Sequence, residues 1–436
     1  MNQFYSKNNH SLNGILEVPG DKSISQRALI LGAMTIGTTK IKGISYSEDV
    51  NNLIKNLKLL GVKIIKKKNE LNIIGVGIGG FDYSKKSLYM GNSGTATRLM
   101  LGALCNQNFE TKITGDKSLS KRNMLNLINQ LKKMGAQIKS NNNKLPIFIK
   151  GISESMPIIY NQKIPSAQIK SAVLLASLNT PGITTIKENL ETRNHTEILL
   201  KMLGANIKIK KNKNNNEITI IGQKELKAKN ILISGDPSSA AIIGAAALII
   251  PKSKIKIKNV NINNTRISFF NILKKMNANI TISNKKIISN EKVADITFKS
   301  SNLKGIHLTS KNVATMIDEI PIFSILASFS NGISSFTGGN QLKNKESNRI
   351  KSLYEGLKAL NIKVFKKNDG LKIIGNKLIK DNKNIKIKSY YDHRIAMSFL
   401  IMSLAYKKKI IIDNIECINT SFPNFFKSIK KLGAKI

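Results

Sequence analysis

The chain is poor in the residues that mark several large protein classes. Its 436 residues include two cysteines and no tryptophan, and 6% of them are aromatic. Cys105 and Cys417 stand far apart, which excludes a disulfide framework and the paired spacing of a zinc site. The low aromatic content leaves few side chains that could stack on nucleic acid bases. This composition predicts a protein of the reducing cytoplasm.

Long hydrophobic segments are also absent. The longest apolar run, residues 240–250, stops at Pro251 and Lys252. A membrane-spanning helix needs roughly 20 residues, so this run is too short. Residues 1–10 are polar and lack the apolar centre of a signal peptide. We therefore expect a cytoplasmic chain that does not enter a membrane.

Acidic residues are scarce. The chain has 26 Asp and Glu and 70 Lys and Arg, which gives a net charge of +44. Such a charge by itself suggests nucleic acid or an anionic surface as a partner. Only seven of the 70 basic residues are arginines, however, and the lysines are dispersed among Asn and Ile. Bidentate recognition of a carboxylate or phosphate needs the guanidinium fork, so we hypothesise that the few arginines mark ligand sites. They are Arg27, Arg98, Arg122, Arg193, Arg266, Arg349 and Arg394.

One unit recurs six times along the chain. In each copy an amphipathic helix ends at an apolar residue, which is followed by Gly or Asn and then by a short strand. The copies are about 70–85 residues apart. Gly and Asn tolerate the left-handed conformation that ends helices. In the first copy Ser47 is the predicted helix cap. Each unit is predicted to run strand, helix, strand, helix, strand, strand. The six helix-ending residues are Gly61, Gly135, Gly204, Asn277, Asn361 and Gly433.

Six units divide naturally into two lobes of three, as expected for a chain too long for one core. Gly20-Asp21 and Gly235-Asp236 mark the predicted boundaries. One lobe would comprise residues 22–235, and the other residues 1–21 and 236–436. Asp236 is a predicted N-cap, with Pro237 at the first helical position. Helix starts from both lobes would point into one cleft, and six independent repeats without a shared site are the alternative.

A Gly-rich turn at residues 91–98 is the first candidate ligand site. Gly91 and Gly94 let the backbone turn tightly, and the apolar run that follows predicts a helix. Free N–H groups and the positive end of the helix dipole make such a turn an anion site. Arg98 adds a positive charge one turn into the helix.

Further helix starts gather polar side chains of the kind that bind anions and hydroxyls. Ser166 is a predicted N-cap with Gln168 one turn in, and Ser347 is a predicted N-cap. Asp318 and Glu319 lie in an apolar context that would tune a general base. Taken alone, each of these motifs could instead be an ordinary helix cap with no role in binding or catalysis. The remaining starts are residues 21–27, 192–197 and 392–394.

Taken together, these motifs resemble those of the 3-phosphoshikimate 1-carboxyvinyltransferase (EPSP synthase) family, in its second class. The resemblance implies an α/β fold of two lobes, each of three βαβαββ units in an inside-out α/β barrel, that close over a cleft. It also implies transfer of the enolpyruvyl group of phosphoenolpyruvate to shikimate 3-phosphate, without a metal or organic cofactor. It runs from Lys22 to Ser421-Phe422-Pro423 and rests on the Gly-rich turn, Lys22 and Arg27, Ser166-Ala167-Gln168, Asp318-Glu319, Lys345-Glu346 with Arg349, and His393-Arg394.

The resemblance also implies residue roles. Asp318 would be the base on the 5-hydroxyl, and Glu346 and Lys22 are candidates for proton transfer at C3 and at the leaving phosphate. Both substrates carry a carboxylate and a phosphate, so converging Arg and Lys side chains suit them. The residues implied for shikimate 3-phosphate are Lys22, Ser23, Arg27, Ser166, Ala167, Gln168, Arg193, Asp318 and Lys345. Those implied for phosphoenolpyruvate are Lys22, Gly94, Arg122, Gln168, Arg349 and Arg394.

A few positions depart from the family pattern. Asn344 and Asn348 stand where a valine and an aspartate are usual, and loss of that aspartate predicts that Arg349 is less firmly held. Thr420 stands where the first class has a lysine, so one phosphate contact would be missing. Gly94 leaves room for glyphosate, so we predict inhibition by this compound, moderated by Leu99 in place of a proline.

Two alternatives stay open at this point. A UDP-N-acetylglucosamine enolpyruvyl transferase would carry a cysteine within residues 118–122 and an asparagine where this chain has Ser23. A basic RNA-binding or phosphate cyclase-like protein fits the net charge but not the scarcity of aromatic residues. We expect a monomer that acts on small molecules, with no cofactor, no specific nucleic acid partner and no membrane contact.

Overall fold

The computed structural model describes residues 11–212, 215–375, 385–406 and 410–435. The chain forms two compact units. The inserted unit comprises Gly20–Ile233 together with Ile288–Glu291. The terminal unit comprises the chain up to Pro19, Ser234–Ile287 and the chain from Lys292 onward.

The elements alternate between short strands and helices along the whole chain. In order they begin with β1 (Asn13–Glu17), α1 (Lys22–Ala33), β2 (Thr35–Lys42), α2 (Glu48–Leu59), β3 (Lys63–Lys66), β4 (Glu70–Val76), β5 (Leu88–Tyr89), α3 (Gly94–Ala103), β6 (Glu110–Thr114), α4 (Leu125–Lys133), β7 (Gln137–Asn141), β8 (Lys144–Lys150), β9 (Ile159–Gln162), α5 (Ala167–Ser177), β10 (Ile183–Glu188), α6 (His195–Met202), β11 (Asn206–Lys211), β12 (Asn216–Ile221), β13 (Leu226–Lys227) and β14 (Asn230–Leu232). They continue with α7 (Pro237–Ile249), β15 (Lys254–Asn261), α8 (Ser268–Lys275), β16 (Asn279–Ile288), β17 (Glu291–Lys299), β18 (His307–Leu308), α9 (Ser310–Thr315), α10 (Ile320–Ser328), β19 (Gly332–Phe336), α11 (Arg349–Ala359), β20 (Val364–Lys367), β21 (Gly370–Gly375), β22 (Ile385–Ile387), α12 (His393–Ala405), β23 (Ile410–Ile412) and α13 (Phe425–Lys431). Short 3₁₀ segments lie at Leu119–Lys121, Asn340–Asn344 and Ile415–Thr420.

The sheets repeat one strand pattern. In the sheet β5-β6-β8-β7, β5 and β6 are parallel, and β8 is antiparallel to both β6 and β7. The sheets β9-β10-β12-β11, β1-β15-β17-β16 and β18-β19-β21-β20 have the same order. In a further sheet β2 runs parallel to β13 and β14, and β4 lies between β2 and β3. This order confirms the predicted repeat and the α/β fold class, although in the last copy the described residues form only the parallel pair of β22 and β23.

Each unit has its own hydrophobic core, built from inner helices that are buried on all sides. Every residue from Ile24 to the end of α1 is buried, and so are the first twelve residues of both α7 and α12. The outer helix α2 instead buries one face, with Val50, Leu53 and Leu57 turned inward. Within the described residues, no helix combines the length and apolar character that crossing a bilayer requires.

The predicted helix ends are largely confirmed. All six repeat-ending Gly and Asn residues have positive φ, from +55° at Asn361 to +104° at Gly135. Ser166 and Asp236 are N-caps as predicted, and Asp21 is the N-cap of α1; the side chains of all three accept backbone hydrogen bonds. Ser47 occupies the N-cap position of α2, but its side chain accepts no capping hydrogen bond, so that part of the prediction is wrong.

Candidate functional site

The Gly-rich turn of the inserted unit holds its backbone donors in a fixed arrangement. Gly91 has a φ of +56°, a conformation that larger residues rarely adopt. Ser93 is the N-cap of α3, and its Oγ accepts a hydrogen bond from the Ala96 N–H at 3.1 Å. The predicted helix is present and begins at Gly94, so its first N–H groups and its dipole favour an anion at this turn.

Arg98 joins this turn to the start of α5. Its Nη1 donates to the Gly94 carbonyl oxygen at 3.0 Å and to Gln168 Oε1 at 2.9 Å. Gln168 Nε2 in turn donates to Thr95 Oγ1 at 2.8 Å. These bonds fix the amide of Gln168 beside the first turn of α3.

Arg122 brings a second guanidinium group to the turn. Its Nη2 donates to Asn92 Oδ1, and a Cβ placed on Gly94 would lie 3.0 Å from Arg122 Nη1 and 2.8 Å from Arg98 Nη1. Burial, helped by the positive charge of Arg122, lowers the pKa of Arg98 from its usual value to about 10. Arg98 is therefore still a cation at neutral pH, and the turn presents two guanidinium groups and helix N–H donors to an anion.

The start of α1 supplies two further cations of the inserted unit. Lys22 Nζ lies 2.8 Å from Asp49 Oδ2. Arg27 is buried; its Nε donates to Thr196 Oγ1 at 2.8 Å and its Nη1 to the Ser23 carbonyl oxygen at 3.0 Å. These bonds, one to α6 and one to the first turn of α1 itself, hold the guanidinium of Arg27 in one orientation.

The other candidate residues of the inserted unit lie at helix starts. Ser166 caps α5, with its Oγ 3.4 Å from the Ile169 N–H, and Ala167 is the first residue of that helix. Arg193 is half-buried in the irregular segment that precedes α6. The structure thus gathers Gly94, Arg122 and Gln168 around one turn, and it places Lys22, Ser23, Arg27, Ser166, Ala167 and Arg193 at the starts of helices in the same unit.

Arg349 is the centre of the candidate site of the terminal unit. It is 1% exposed, and its Nε donates to Asp392 Oδ2 at 2.9 Å and its Nη2 to Glu346 Oε2 at 2.6 Å. Burial by itself would lower the pKa of Arg349, but the charges of Asp392, Glu346 and Asp318 outweigh it and raise the pKa above its usual value. The guanidinium is therefore a permanent cation with its plane fixed by carboxylates.

Asp318 lies between two guanidinium groups. Its Oδ1 is 3.6 Å from Arg349 Nη1 and 3.8 Å from Arg394 Nε, and its side chain is 16% exposed. Arg394 Nη1 also donates to the Asp318 carbonyl oxygen at 3.1 Å. Asp392, the N-cap of α12, accepts from the Arg394 N–H at 2.9 Å. Asp318 is therefore held beside two guanidinium groups while its side chain keeps access to solvent.

Two predictions for this region are wrong. Ser347 is not the cap of α11; Asn348 caps it, with Oδ1 accepting from the Lys351 N–H at 3.1 Å, while Ser347 Oγ donates to Asp392. The second wrong prediction is that Arg349 is less firmly held because position 348 is an asparagine and not an aspartate. Asp392 holds it instead through two hydrogen bonds, at 2.9 and 3.3 Å.

Other residues of the predicted set have mixed surroundings. Lys345 is half-buried at the end of the 3₁₀ segment Asn340–Asn344. Thr420 Oγ1 donates to the Cys417 carbonyl oxygen at 2.7 Å and lies 3.4 Å from His393 Nδ1. In the part of the chain that the structure describes, no group of three His, Cys, Asp or Glu residues is arranged to hold a metal ion.

Arg266 and Glu319 form a separate buried group in the terminal unit. Arg266 Nη2 donates to Ser238 Oγ at 2.9 Å and lies 3.5 Å from Asp236 Oδ1, and Ser238 Oγ also donates to Glu319 Oε1. Arg266 therefore binds carboxylates of the protein itself. For this arginine the hypothesis that scarce arginines mark ligand sites stays a prediction, and the side chains it contacts here belong to the protein itself.

Sequence reasoning placed Arg98 beside the Gly-rich turn and Asp392 at a helix start, but it included neither residue in the substrate-binding sets. Arg98 carried a signal in the scarcity of arginine and in its place beside the Gly-rich turn, but its bond to Gln168 spans 70 residues of sequence. Asp392 stood in a dense Asp-His-Arg triplet, and its bond to Arg349 spans 43 residues. Neither contact follows from a local pattern.

The chain is similar to known proteins over nearly its full length. A family model described as EPSP synthase (3-phosphoshikimate 1-carboxyvinyltransferase) matches residues 6–429. A 3-phosphoshikimate 1-carboxyvinyltransferase from Ruthia magnifica subsp. Calyptogena magnifica is 44% identical over 436 residues, which cover 100% of this chain and 99% of the relative. The enzyme of that name from Zymomonas mobilis is 41% identical over 429 residues, with 97% and 95% covered.

Solved structures agree with this similarity. EPSP synthase from Acinetobacter baumannii matches with a TM-score of 0.85 at 37% identity, covering 99% of this chain and 98% of that one. The enolpyruvyl transferase NikO from Streptomyces tendae matches with a TM-score of 0.80 at 14% identity, covering 99% and 97%, and this likeness concerns the fold alone.

Proposed function

The chain belongs to the EPSP synthase family, and we propose that it transfers the enolpyruvyl group of phosphoenolpyruvate to the 5-hydroxyl of shikimate 3-phosphate and releases phosphate. The reaction is a step in the formation of chorismate and the aromatic amino acids. Family membership over almost the whole chain supports this function over the UDP-N-acetylglucosamine and RNA alternatives. Both proposed substrates are small and multiply anionic, which suits a protein that keeps its few arginines at helix starts.

Shikimate 3-phosphate is assigned mainly to the inserted unit. The buried Arg27, fixed by Thr196 and the Ser23 carbonyl oxygen, suits a phosphate or carboxylate, because its plane cannot rotate away. Gln168, fixed by Arg98, can hydrogen-bond a ring hydroxyl. The full proposed set is Lys22, Ser23, Arg27, Ser166, Ala167, Gln168, Arg193, Asp318 and Lys345.

Phosphoenolpyruvate is assigned to the cations beside the Gly-rich turn and to the arginines of the terminal unit. The turn offers helix N–H donors beside two guanidinium groups, and Arg349 is held flat by carboxylates. Such fixed donors bind an anion without reorganising first, and this is the main source of electrostatic stabilisation in enzymes. The full proposed set is Lys22, Gly94, Arg122, Gln168, Arg349 and Arg394.

The proposed chemistry is addition followed by elimination. Asp318 takes the proton of the 5-hydroxyl as that oxygen bonds to C2 of phosphoenolpyruvate, while C3 gains a proton and becomes a methyl group. The tetrahedral intermediate then loses a proton from this methyl group as the C2–O bond to phosphate breaks, which restores the double bond. Glu346 and Lys22 are the proposed groups for proton transfer at C3 and at the leaving phosphate.

The single observation that carries the proposed mechanism is the placement of Asp318. It stands 3.6 Å from Arg349 and 3.8 Å from Arg394, so one carboxylate oxygen is oriented by two cations. A base in this position is next to the groups that would bind the carboxylate and phosphate of phosphoenolpyruvate. Proton removal and charge stabilisation are thereby served by neighbouring side chains.

The proposal is tested by measuring phosphate release from phosphoenolpyruvate. We expect release with shikimate 3-phosphate present, and none without it or with UDP-N-acetylglucosamine in its place. Asp318→Asn keeps the shape of the side chain and should lower kcat by about 10²- to 10⁴-fold, the usual contribution of a general base. Glu154→Gln, at an exposed carboxylate away from both sets of residues, is the control. Release that does not depend on shikimate 3-phosphate would overturn the assignment.

A monomeric state and a cytoplasmic location are the finer parts of the proposal. The location rests on the sequence, in which two isolated cysteines suit a reducing compartment and the apolar runs are too short to cross a bilayer. Sedimentation of the purified protein across a range of concentrations tests the first, and fractionation of cells tests the second. A concentration-dependent dimer, or recovery with membranes, would contradict them.

A further inference from the structure

A lysine is buried beneath the helix starts that carry the proposed ligands of shikimate 3-phosphate. Lys170 lies on α5, two residues after Gln168, and its side chain is 0% exposed. Its Nζ lies 2.7 Å from Glu197 Oε1 on α6 and 3.1 Å from Glu188 Oε2 at the end of β10. One cation thus ties together three elements that meet in the interior of the inserted unit.

We propose that Lys170, held by Glu188 and Glu197, is a positioning residue that sets the geometry of Arg193 and Arg27 for binding shikimate 3-phosphate. The inference rests on the proposed function, because these two arginines are assigned to that substrate by family resemblance. Lys170 is fully buried, so it acts through its neighbours and does not touch the substrate.

The first link runs to the residue before Arg193. Thr192 is bound on three sides: its carbonyl oxygen accepts from Lys170 Nζ at 3.4 Å, and its N–H and Oγ1 donate to Glu188 Oε2 at 3.3 and 2.9 Å. The peptide that leads into Arg193 is thereby fixed to the buried cluster. A shift of Lys170 or Glu188 would be passed directly to the backbone of Arg193.

The second link runs to Arg27 through the residues next to the cluster on α5 and α6. Ser171 follows Lys170 and Thr196 precedes Glu197, and their hydroxyls are 2.7 Å apart. Arg27 donates to both, with Nη2 3.0 Å from Ser171 Oγ and Nε 2.8 Å from Thr196 Oγ1. The ion pair between Lys170 and Glu197 therefore sets the spacing of the two hydroxyls that orient Arg27.

The charges of the cluster explain why a neutral residue in place of Lys170 would destabilise the fold. One ammonium group faces two carboxylates, and burial alone would lower its pKa, but Glu197 and Glu188 outweigh burial and raise the pKa of Lys170 above its usual value. Within the described residues Glu197 Oε2 has no hydrogen-bond partner. Removal of the lysine alone would leave two buried carboxylates without a counter-charge, which is strongly destabilising.

The test compares variants that differ in how much charge they leave unpaired. Glu188→Gln leaves one cation and one carboxylate and loosens the hold on Thr192, and Thr192→Val removes a single hydroxyl bond. The single variant Lys170→Met would leave two buried carboxylates unpaired and is expected to fold poorly. The triple variant Lys170→Met, Glu188→Gln, Glu197→Gln removes all three charges and therefore leaves no unpaired buried ion. Lys187→Met, at a partly exposed lysine beside Glu188 on β10, is the matched control.

Steady-state kinetics with each substrate varied in turn separates a positioning role from a structural one. We expect Glu188→Gln and the triple variant to raise KM for shikimate 3-phosphate by up to about 10²-fold, the effect of small misplacements in a binding site, with a much smaller change in KM for phosphoenolpyruvate. Thr192→Val should give a smaller effect in the same direction, and Lys187→Met none.

The opposite pattern would overturn the inference. Folded variants whose KM values for both substrates equal those of the unaltered protein, or change by the same factor, would reduce the cluster to a stabilising ion pair. Absence of phosphate release by the unaltered protein would instead refute the proposed function, so the two failures are distinguishable.

Discussion

At the scale of the single residue, Gly94 shows how tightly the Gly-rich turn is packed. A methyl group at this position would stand 2.8 Å from Arg98 Nη1 and 3.0 Å from Arg122 Nη1, closer than a Cβ normally approaches. We expect Gly94→Ala to displace both guanidinium tips and so to raise KM for phosphoenolpyruvate. Glyphosate, which we expect to compete with phosphoenolpyruvate for the unaltered protein, should inhibit the variant more weakly.

Inhibition curves at several phosphoenolpyruvate concentrations measure both effects of Gly94→Ala. KM for shikimate 3-phosphate is the comparison and should rise less, because Gln168 is bound to the displaced Arg98 whereas Arg27 lies on another helix. An unchanged KM for phosphoenolpyruvate together with unchanged inhibition would show that the two guanidinium groups relax without consequence.

Asp392 is a second residue whose role can be isolated. It accepts two hydrogen bonds from the buried Arg349 and also caps α12. Asp392→Asn would leave Arg349 with Glu346 and Asp318 only, so we expect a loss of about 3 kcal/mol in the free energy of unfolding, near the lower end for a broken buried ion pair.

Urea denaturation measures the loss caused by Asp392→Asn. Lys351→Met, which removes an exposed ion pair with Glu355 on α11, is the control and should change stability by less than about 1 kcal/mol. Equal stability of the two variants would mean that the remaining carboxylates hold Arg349 unaided.

These residues also mark what a sequence can and cannot predict about the site. Local rules located Gly94 and Asp318, because a Gly-rich turn and an acidic pair in an apolar stretch are visible within a few residues. The prediction of how firmly the Arg349 side chain is held rests on its neighbour Asn348, whereas the residue that binds it, Asp392, is 43 residues away. Contacts between side chains that are distant in sequence depend on how helices pack, and no local pattern encodes them.

At the scale of the element, the turn before α12 is built under strain. Tyr390 and Tyr391 both have positive φ, +55° and +56°, which is unusual for aromatic residues. The Tyr391 N–H donates to Ser389 Oγ at 3.3 Å and the Asp392 N–H donates to the Ser389 carbonyl oxygen at 3.0 Å, and these two bonds close the turn. The turn delivers Asp392 and Arg394, so the strain lies directly beside the candidate site.

Replacing Tyr391 by glycine should release part of this strain. The side chain is 67% exposed, so little packing is lost. Left-handed geometry disfavours a non-glycine residue by roughly 1–2 kcal/mol, and glycine loses about 0.5–1 kcal/mol of chain entropy on folding. We expect Tyr391→Gly to gain up to about 1 kcal/mol in the free energy of unfolding.

Tyr391→Ala is the matched variant, because alanine removes the ring but keeps the strained conformation. Chemical denaturation of both variants should show the gain for glycine alone. An equal stability of the two would mean that the left-handed conformation of Tyr391 carries no measurable strain.

Helix ends were the elements best predicted from the sequence, for a physical reason. A left-handed Gly or Asn after the last helical turn, or an Asp or Ser before the first, acts on backbone groups within four residues. Ser166, Asp236 and the six repeat-ending residues follow this rule. Ser347 failed because Asn348, beside it, is an equally good cap, and Ser347 donates its hydrogen bond to the distant Asp392.

At the scale of the whole molecule, the repeated unit determines where the hydrophobic cores lie and which helices are buried. Six copies of one strand and helix pattern produce two hydrophobic cores, each with helices buried on all sides. A buried helix cannot shift along its axis without opening its core, so the residue at its start is held in place. Candidate residues at the starts of α1, α3, α5 and α12 are rigid for this reason.

The net charge of +44 is the other whole-molecule property, and it bears on how substrates arrive. A strongly positive surface raises the local concentration of anions and can speed their association by about 10- to 10³-fold, an effect that salt removes. The screening length falls from about 10 Å at 0.1 M salt to about 3 Å at 1 M. We therefore expect kcat/KM for phosphoenolpyruvate to fall by about tenfold or more over this range, with a smaller change in kcat.

Labelled RNA provides the comparison that separates this effect from nucleic acid recognition. Binding through dispersed lysines should be non-specific and should weaken steeply as salt rises, with dissociation constants of about 10⁻⁶ M or weaker at physiological salt. Enzyme activity that persists at a salt concentration where RNA no longer binds would identify the lysine surface as a general attractor of anions. Contacts with phosphates alone lose about 10³-fold or more in affinity between 0.05 and 0.2 M salt, so tight RNA binding that persists at 0.2 M would instead indicate a specific nucleic acid site.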